Sequence, residues 1–412
     1  MPVSARPDEC TARPLPPVAA QVDAHLASMD GEVDWLLALS PIHNDALWAE
    51  FEASGRTRVP PFQYIDPDLD LHAVRERLLA LPVEEVESPL LSGLLSEKQR
   101  ELDRQIELVR LRDTDGFINA SLDLFGGVEP RLLELARRIL DTVGPSVPLE
   151  AEAGIDEVLA AVEDELAWYR EQSPDFFAEV VVDADLNSLM MVSHGKFFID
   201  GDIRLPRARV QPLIQHEIGT HLVTRHNGSR QALQQLRVGL AHYDPLQEGL
   251  GVLGEYLAGY LPGERLRVLS ARVVATDMAI HGEDVPAIFD LLHNTHGLPT
   301  EDAFDVAVRA RRGGGLTKDA VYLSGLRDLV EYLADGGDFE TLFTGKFALS
   351  HRVVLDQLIK EGWVVEPDLL PRYSTAADAA VRLERCRRTP VEHLFHSEPH
   401  NVARVPAPKE TA

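Results

Sequence analysis

Cysteine is almost absent from this chain: Cys10 and Cys386 are the only two among 412 residues. That excludes a disulfide framework and a thiolate zinc centre, so any bound metal has to be held by His, Asp or Glu. Long apolar runs are missing too. None approaches the roughly 18–20 residues a membrane-spanning helix needs, and the N-terminus carries prolines and arginines but no apolar stretch of the signal-peptide kind. These absences lead us to expect a cytoplasmic protein. Basic charge is also scarce, with 40 Lys and Arg against 67 Asp and Glu and a net charge of -27. Such a chain repels phosphate backbones and anionic headgroups alike, which argues against nucleic acid and membrane surfaces as partners. What the chain does have is apolar material, 45% of its residues, and enough length for two or three domains with a packed core.

Along the chain, residues 1–20 are rich in proline and read as a flexible leader. From 21 to 145 the periodicity is helical: Leu95, Leu102, Ile106 and Val109 recur at spacings of seven, four and three, and Leu132, Leu135 and Ile139 mark another stripe. A catalytic region is expected at 146–375, opening with a helix from Ile155 to Tyr169. The period then changes. Phe177 to Val182, Leu189 to Val192 and Lys196 to Ile199 read as short strands, the last two joined by a turn at His194-Gly195. Helices return at about 208–224, 246–261, 264–280, 301–311, 318–334 and 351–360, and residues 376–412 read as a C-terminal tail whose Arg385–Arg388 cluster would be a solvated helix face. The class is α+β, mainly helical, with a small antiparallel sheet.

Chemistry concentrates in Gln215-His216-Glu217-Ile218-Gly219-Thr220-His221. Two imidazoles with a carboxylate directly after the first suit a hydrolytic zinc site: neutral imidazoles bind the ion, and a carboxylate that is not a ligand can take a proton from water. The spacing is unusual, because five residues at 3.6 per turn rotate the two rings by roughly 140°. Three resolutions stand open: a local i→i+5 turn, a helix that ends at Gly219, or a chance pair among the chain's 15 histidines. A third ligand is offered by Glu248 in Gln247-Glu248-Gly249-Leu250, early in a helix and beside an apolar face, where an unpaired carboxylate is costly. His226 and Glu255 are its rivals. His226 precedes Asn227-Gly228, which looks like a helix stop, and so reads as an exposed terminal histidine; Glu255 fits a solvated charge or a group supporting a ligand equally well.

The blocks His216 to His221, Asn227-Gly228, Gln247 to Leu250 and Arg312-Gly313-Gly314-Gly315-Leu316-Thr317-Lys318-Asp319, in this order, resemble those of bacterial flavohaemoglobin expression-modulating QEGLA-motif proteins and of the eukaryotic microtubule-associated tyrosine carboxypeptidases. The resemblance runs from about 21 to 375. It implies a zincin-like metallopeptidase fold with the sheet beside the metal-binding helix, Zn²⁺ on His216, His221 and Glu248, Glu217 as catalytic base, and a peptide or protein C-terminus as substrate, paired along an edge strand. Three positions depart from the pattern: Gly251 replaces the motif's Ala, expected to be harmless, and His242 and Ser324 stand where Gly and Arg are expected.

In a carboxypeptidase, Arg312 and Lys318 are candidates to grip the substrate's terminal carboxylate at a helix N-terminus. Tyr322, four residues after Lys318 and on the same helix face, is a candidate donor to that carboxylate or to the oxyanion. The same block also reads as a plain glycine turn with Lys318 in solvent or an ion pair. Two other functions share this sequence: a regulatory protein that keeps a metal for structure and acts by binding a partner, and an amidase or esterase acting on non-peptide substrates.

Overall fold

The computed structural model describes residues 12–32, 34–144, 152–184, 186 and 188–399, with 63% helix and 5% strand. The first eleven residues of the expected leader lie outside this range, but its end is ordered. Helix α1 (Pro17–Asp30) opens on Pro17, where a missing N–H is no loss and φ is already helical, and it buries Ala19, Val22 and Leu26. Helix α2 (Pro89–Arg110) turns Leu91, Leu95, Leu102, Ile106 and Val109 inward, the stripe the spacing predicts. Helices α3 (Phe117–Phe125), α4 (Pro130–Thr142) and α5 (Ile155–Gln172) follow. A continuous apolar core extends from Leu15 to Leu394, so the N-terminal helices pack into the same body as the catalytic region.

Three strands form the sheet near the site: β1 (Glu179–Asp183), β2 (Met190–Ser193) and β3 (Lys196–Asp200), in the order β1–β3–β2. It is mixed rather than antiparallel. The β2–β3 hairpin is antiparallel, and β3 returns between the other two strands and so runs parallel to β1. The hairpin turn has positive φ at both central residues, His194 at 49° and Gly195 at 83°, the twist that lets two strands close tightly. β2 is left as an edge strand.

Next comes one helical run, α6, over 207–229, followed by α7 (Asp244–Leu257), α8 (Gly263–Ile280), α9 (Thr300–Arg311) and α10 (Val321–Ala334). α7 and α10 cross at two glycines. A Cβ on Gly325 would stand 1.8 Å from the Pro245 carbonyl oxygen, and one on Gly249 2.6 Å from the Gly325 backbone. This backbone-to-backbone approach sets Glu248 of α7 close to Tyr322 of α10. The expected tail is partly built in. Helix α11 (Ala379–Arg387) buries Cys386, and Arg387 donates to the carbonyls of Leu333 and Gly337 at 2.5 and 2.9 Å, closing the C-terminus of α10 instead of lying in solvent. Residues 400–412 lie outside the described range.

Candidate active site

α6 is not a regular α-helix. Arg207–His216 is α-helical, Glu217–Leu222 is a π-turn, and Val223–Ser229 is α-helical again. Of the three resolutions of the five-residue spacing, this is the i→i+5 turn, whose extra residue returns His221 to the face of His216. The two rings stand 5.2 Å apart, edge to face. Gly219 lies inside the turn, not at a helix end: a Cβ there would meet Gln215 Oε1 at 2.6 Å, and Gln215 is held in place by donating to buried Glu165 at 2.6 Å.

Each imidazole is fixed from behind. His216 donates from Nδ1 to Glu255 Oε1 at 3.0 Å, and His221 Nδ1 faces Gln247 Oε1 at 3.4 Å, the same oxygen that accepts from Thr224 Oγ1 at 2.9 Å. With the Nδ1 atoms engaged, Nε2 is the nitrogen each ring offers to the centre. Glu255 is fully buried and ion-paired with Arg209 at 2.7 Å and Arg265 at 3.4 Å, so it backs the His216 ring and is not a solvated charge. Gly251 also contributes. A Cβ at that position would stand 2.6 Å from His216 Nε2, so the departure from the motif's Ala is what gives the ring its room.

One potential ligand atom from each of His216, Glu217 and His221 lies within 4.8 Å of the others. Glu248 Oε2 stands 3.6 Å from His216 Nε2, close to the roughly 3.3 Å expected between ligands at about 2.0–2.2 Å from a shared tetrahedral ion. Glu217 has a further tie: its Oε2 accepts the backbone N–H of Val192 on edge strand β2 at 3.0 Å. The trio His216, Glu217 and His221, with Glu248 beside His216 and outside the trio, carries nitrogen and oxygen donors of the kind that could hold a divalent cation.

The electrostatics agree. Burial opposes charge on His216, but Glu248 and Glu255 outweigh it and hold the imidazole up to about 10, so a positive charge is favoured at this point. Burial pushes His221 down to about 4, keeping it neutral, and raises Glu217 to about 7, near the value a general base needs. Glu248, despite burial, is held down to about 2 by its bond to His216 and by the Lys318 ammonium. Glu255→Gln keeps the shape of this support while removing its charge. We expect it to weaken zinc affinity roughly tenfold, measured by competition with a chelating dye; unchanged affinity would show that Glu255 serves only the arginines.

The other candidates are placed as follows. Tyr322 is half-buried, with the Arg272 guanidinium 4.9 Å from its ring centroid; burial first and Glu248 second raise its hydroxyl above the usual range. Lys318 is buried and ion-paired with Asp244, the first residue of α7, at 2.8 Å. Arg312 is 5% exposed and reaches Asp319 only at 3.6 Å. The three glycines after it have φ of 67°, 118° and 130°, and a Cβ on Gly313 would meet the Phe117 ring at 2.4 Å, so this stretch wraps an aromatic side chain of α3.

His226 is buried, not exposed. It contacts Asp368 at 3.2 Å and Ser173 at 3.3 Å, which fill the space where solvent was expected. Asn227 is wholly buried: it donates to the carbonyls of Phe343 and Leu369 and accepts from Leu369 N–H, which ties α6 to two distant loops. His242 holds φ at 58°, the left-handed conformation that suits the family's glycine, and its N–H donates to Glu101 at 2.7 Å. Ser324 only bonds back to Val321 within its own helix.

Arg209, Gln247, Arg265 and Arg272 went unnoticed in the sequence. A signal existed for one pair, since Arg209 lies seven residues before His216 and Glu255 seven after Glu248, two turns along the same face of each helix.

A family profile described as microtubule-associated tyrosine carboxypeptidase matches residues 49–389, a stretch that includes the π-turn, α7 and α10. No curated protein matches the chain.

Proposed function

Since the chain belongs to the microtubule-associated tyrosine carboxypeptidase family, a family of peptidases, we propose that it removes C-terminal residues from peptides or proteins in a zinc-dependent reaction with Glu217 as general base. Neither the tyrosine nor the microtubule of the family's description is part of the proposal. The observation that carries it is the π-turn, which brings His216, Glu217 and His221 within 4.8 Å of one another.

His216, His221 and Glu248 would hold the ion. Zn²⁺ at that point would supply Lewis acidity, polarising the scissile carbonyl and acidifying water. Glu217, anchored to Val192 N–H by one oxygen, has its other oxygen to take a proton from the attacking water and pass it to the leaving amine. Tyr322 would donate to the oxyanion as charge develops there. Edge strand β2 offers an unpaired side along which an extended substrate can lie. Among the described residues no helix is long and apolar enough to cross a membrane.

The test joins metal analysis to a peptide library. We expect about one zinc per chain, single-residue trimming of peptides with a free C-terminus, loss of at least about 100-fold in rate after chelation, and recovery on adding zinc. Trimming that survives complete removal of metal would overturn the zinc reading, and failure to trim any member of the library would overturn the peptidase.

A further inference from the structure

Three arginines lie around one aspartate beside Tyr322. Asp319 is buried and receives the fork of Arg309 from α9, Nε at 2.6 Å and Nη2 at 3.0 Å. Arg312 reaches the same carboxylate only at 3.6 Å. The guanidinium of Arg272, from α8, bonds to no acid among the described residues: it lies over the Tyr322 ring, 4.9 Å from its centroid. Asp302 and Asp305 lie within electrostatic reach of the group but bond to none of the three arginines. Nε of Arg272 and Nε of Arg312 are both buried with no acceptor.

Buried donors are nearly always satisfied, and a guanidinium left without an anion costs more than a neutral group. Here three guanidinium groups share one bonded carboxylate, with Asp302 and Asp305 acting only at longer range, in a chain that is otherwise strongly acidic. Lys318 cannot account for the imbalance, because Asp244 already neutralises it. The charges bear the strain: burial and the neighbouring Arg309 push Arg312 down to about 10, and burial lowers Arg272, whereas Arg309, bonded to Asp319, is raised. What the group lacks is a planar anion with two oxygens, the shape two guanidinium forks accept best.

We infer that Arg272 and Arg312 are the receptor for the α-carboxylate of the substrate's last residue, with Tyr322 between this receptor and the metal cluster. The inference rests on the carboxypeptidase reading and deepens it by naming what makes the enzyme act at a free C-terminus. Tyr322 joins the two halves: Arg272 lies over its ring, and its hydroxyl feels Glu248. The role is one of recognition, since neither arginine touches the reacting carbonyl.

The experiment uses zinc-loaded full-length protein carrying Glu217→Gln, so that peptides bind without turnover. The probe is a fluorescein-labelled alanine hexapeptide, randomised at its last position, with a free C-terminal carboxylate, alongside its C-terminally amidated twin. We expect the acid to bind at least about tenfold tighter than the amide, and Arg272→Gln to weaken the acid roughly 10- to 100-fold while leaving the amide unchanged. Arg312→Gln should act the same way, and Arg272→Lys, which keeps the charge but loses the fork, should restore only part of the preference. The inference is overturned if the parent shows no preference for the acid, if Arg272→Gln retains the parent's acid-to-amide ratio, or if both affinities fall together, the mark of a structural role. Hydrolysis by protein with native Glu217 is scored separately. Absent hydrolysis with an Arg272-dependent ratio topples the peptidase and leaves the receptor; normal hydrolysis with an untouched ratio does the reverse.

Discussion

Glu217→Gln lowers kcat on a free C-terminal peptide by about 10²- to 10⁴-fold and leaves zinc content at one per chain: this is the expected result if Glu217 moves protons and does not bind the ion. The outcome is sharp because the geometry permits a rival. His216, Glu217 and His221 are close enough together to serve as a ligand trio on their own, and in that arrangement the same variant would shed metal. The side-chain contacts favour the other assignment. Glu217 spends one oxygen on the Val192 amide, whereas Glu248 faces His216 Nε2 at 3.6 Å and is held ionised. Glutamine preserves the size of Glu217 and can still accept the Val192 N–H, but an amide cannot take a proton from water. Paired metal titrations of Glu217→Gln and Glu248→Gln therefore decide the question. Loss of zinc in the second and not the first supports the proposed roles, and loss in the first and not the second exchanges them. Full activity with metal retained in Glu217→Gln would overturn Glu217 as the general base.

Lys98→Met is expected to destabilise the fold by about 3–5 kcal/mol, the typical cost of removing one partner from a buried ionic group. Lys98 is 1% exposed and bridges Asp30 of α1 at 2.8 Å and Glu101 of its own helix α2 at 2.9 Å. Burial alone would drive its ammonium toward neutrality, but the two carboxylates outweigh it and raise its pKa above the ordinary lysine value. Methionine fills a similar volume and leaves both acids without a counter-charge. The effect should reach the active site, because the other oxygen of Glu101 accepts the amide of His242, the strained residue two positions before α7 begins. Urea unfolding gives the magnitude, and adding Glu101→Gln to Lys98→Met should recover part of the loss, since it removes one stranded charge. A destabilisation below about 1 kcal/mol would mean that water already compensates these acids, contrary to the burial of the pair.

How much of this was legible beforehand depended on range. The stripe of Leu95, Leu102 and Ile106 predicts its helix because the period is a local property, and the same holds for the β2–β3 hairpin at His194-Gly195. α6 does end close to Asn227-Gly228, at Ser229, but His226 was misread as exposed, for a tertiary reason. Asn227 is fixed by carbonyls and an amide from Phe343 and Leu369, and a Cβ on Gly228 would stand 2.1 Å from the Leu236 carbonyl, so the pair marks a crowded contact inside the helix. The parallel pairing of β1 was likewise invisible, since strand order depends on which strand inserts between the others. That a Cβ at Gly251 would crowd the His216 ring was also invisible, because the ring comes from α6 and not from Gly251's own helix.

The residue types and their intervals along the chain pointed to the kind of chemistry proposed: a metal held without cysteine, a base beside the first histidine, and an acid on a later helix. Folding established the rest. It chose the π-turn among three ways to aim two imidazoles, backed His216 with Glu255, matched Lys318 to Asp244, and left Arg272 and Arg312 with more charge than Asp319 can answer. The reason is that a side chain's chemistry is written in its own atoms, whereas its protonation, its aim and its surplus charge depend on neighbours that come from many residues away.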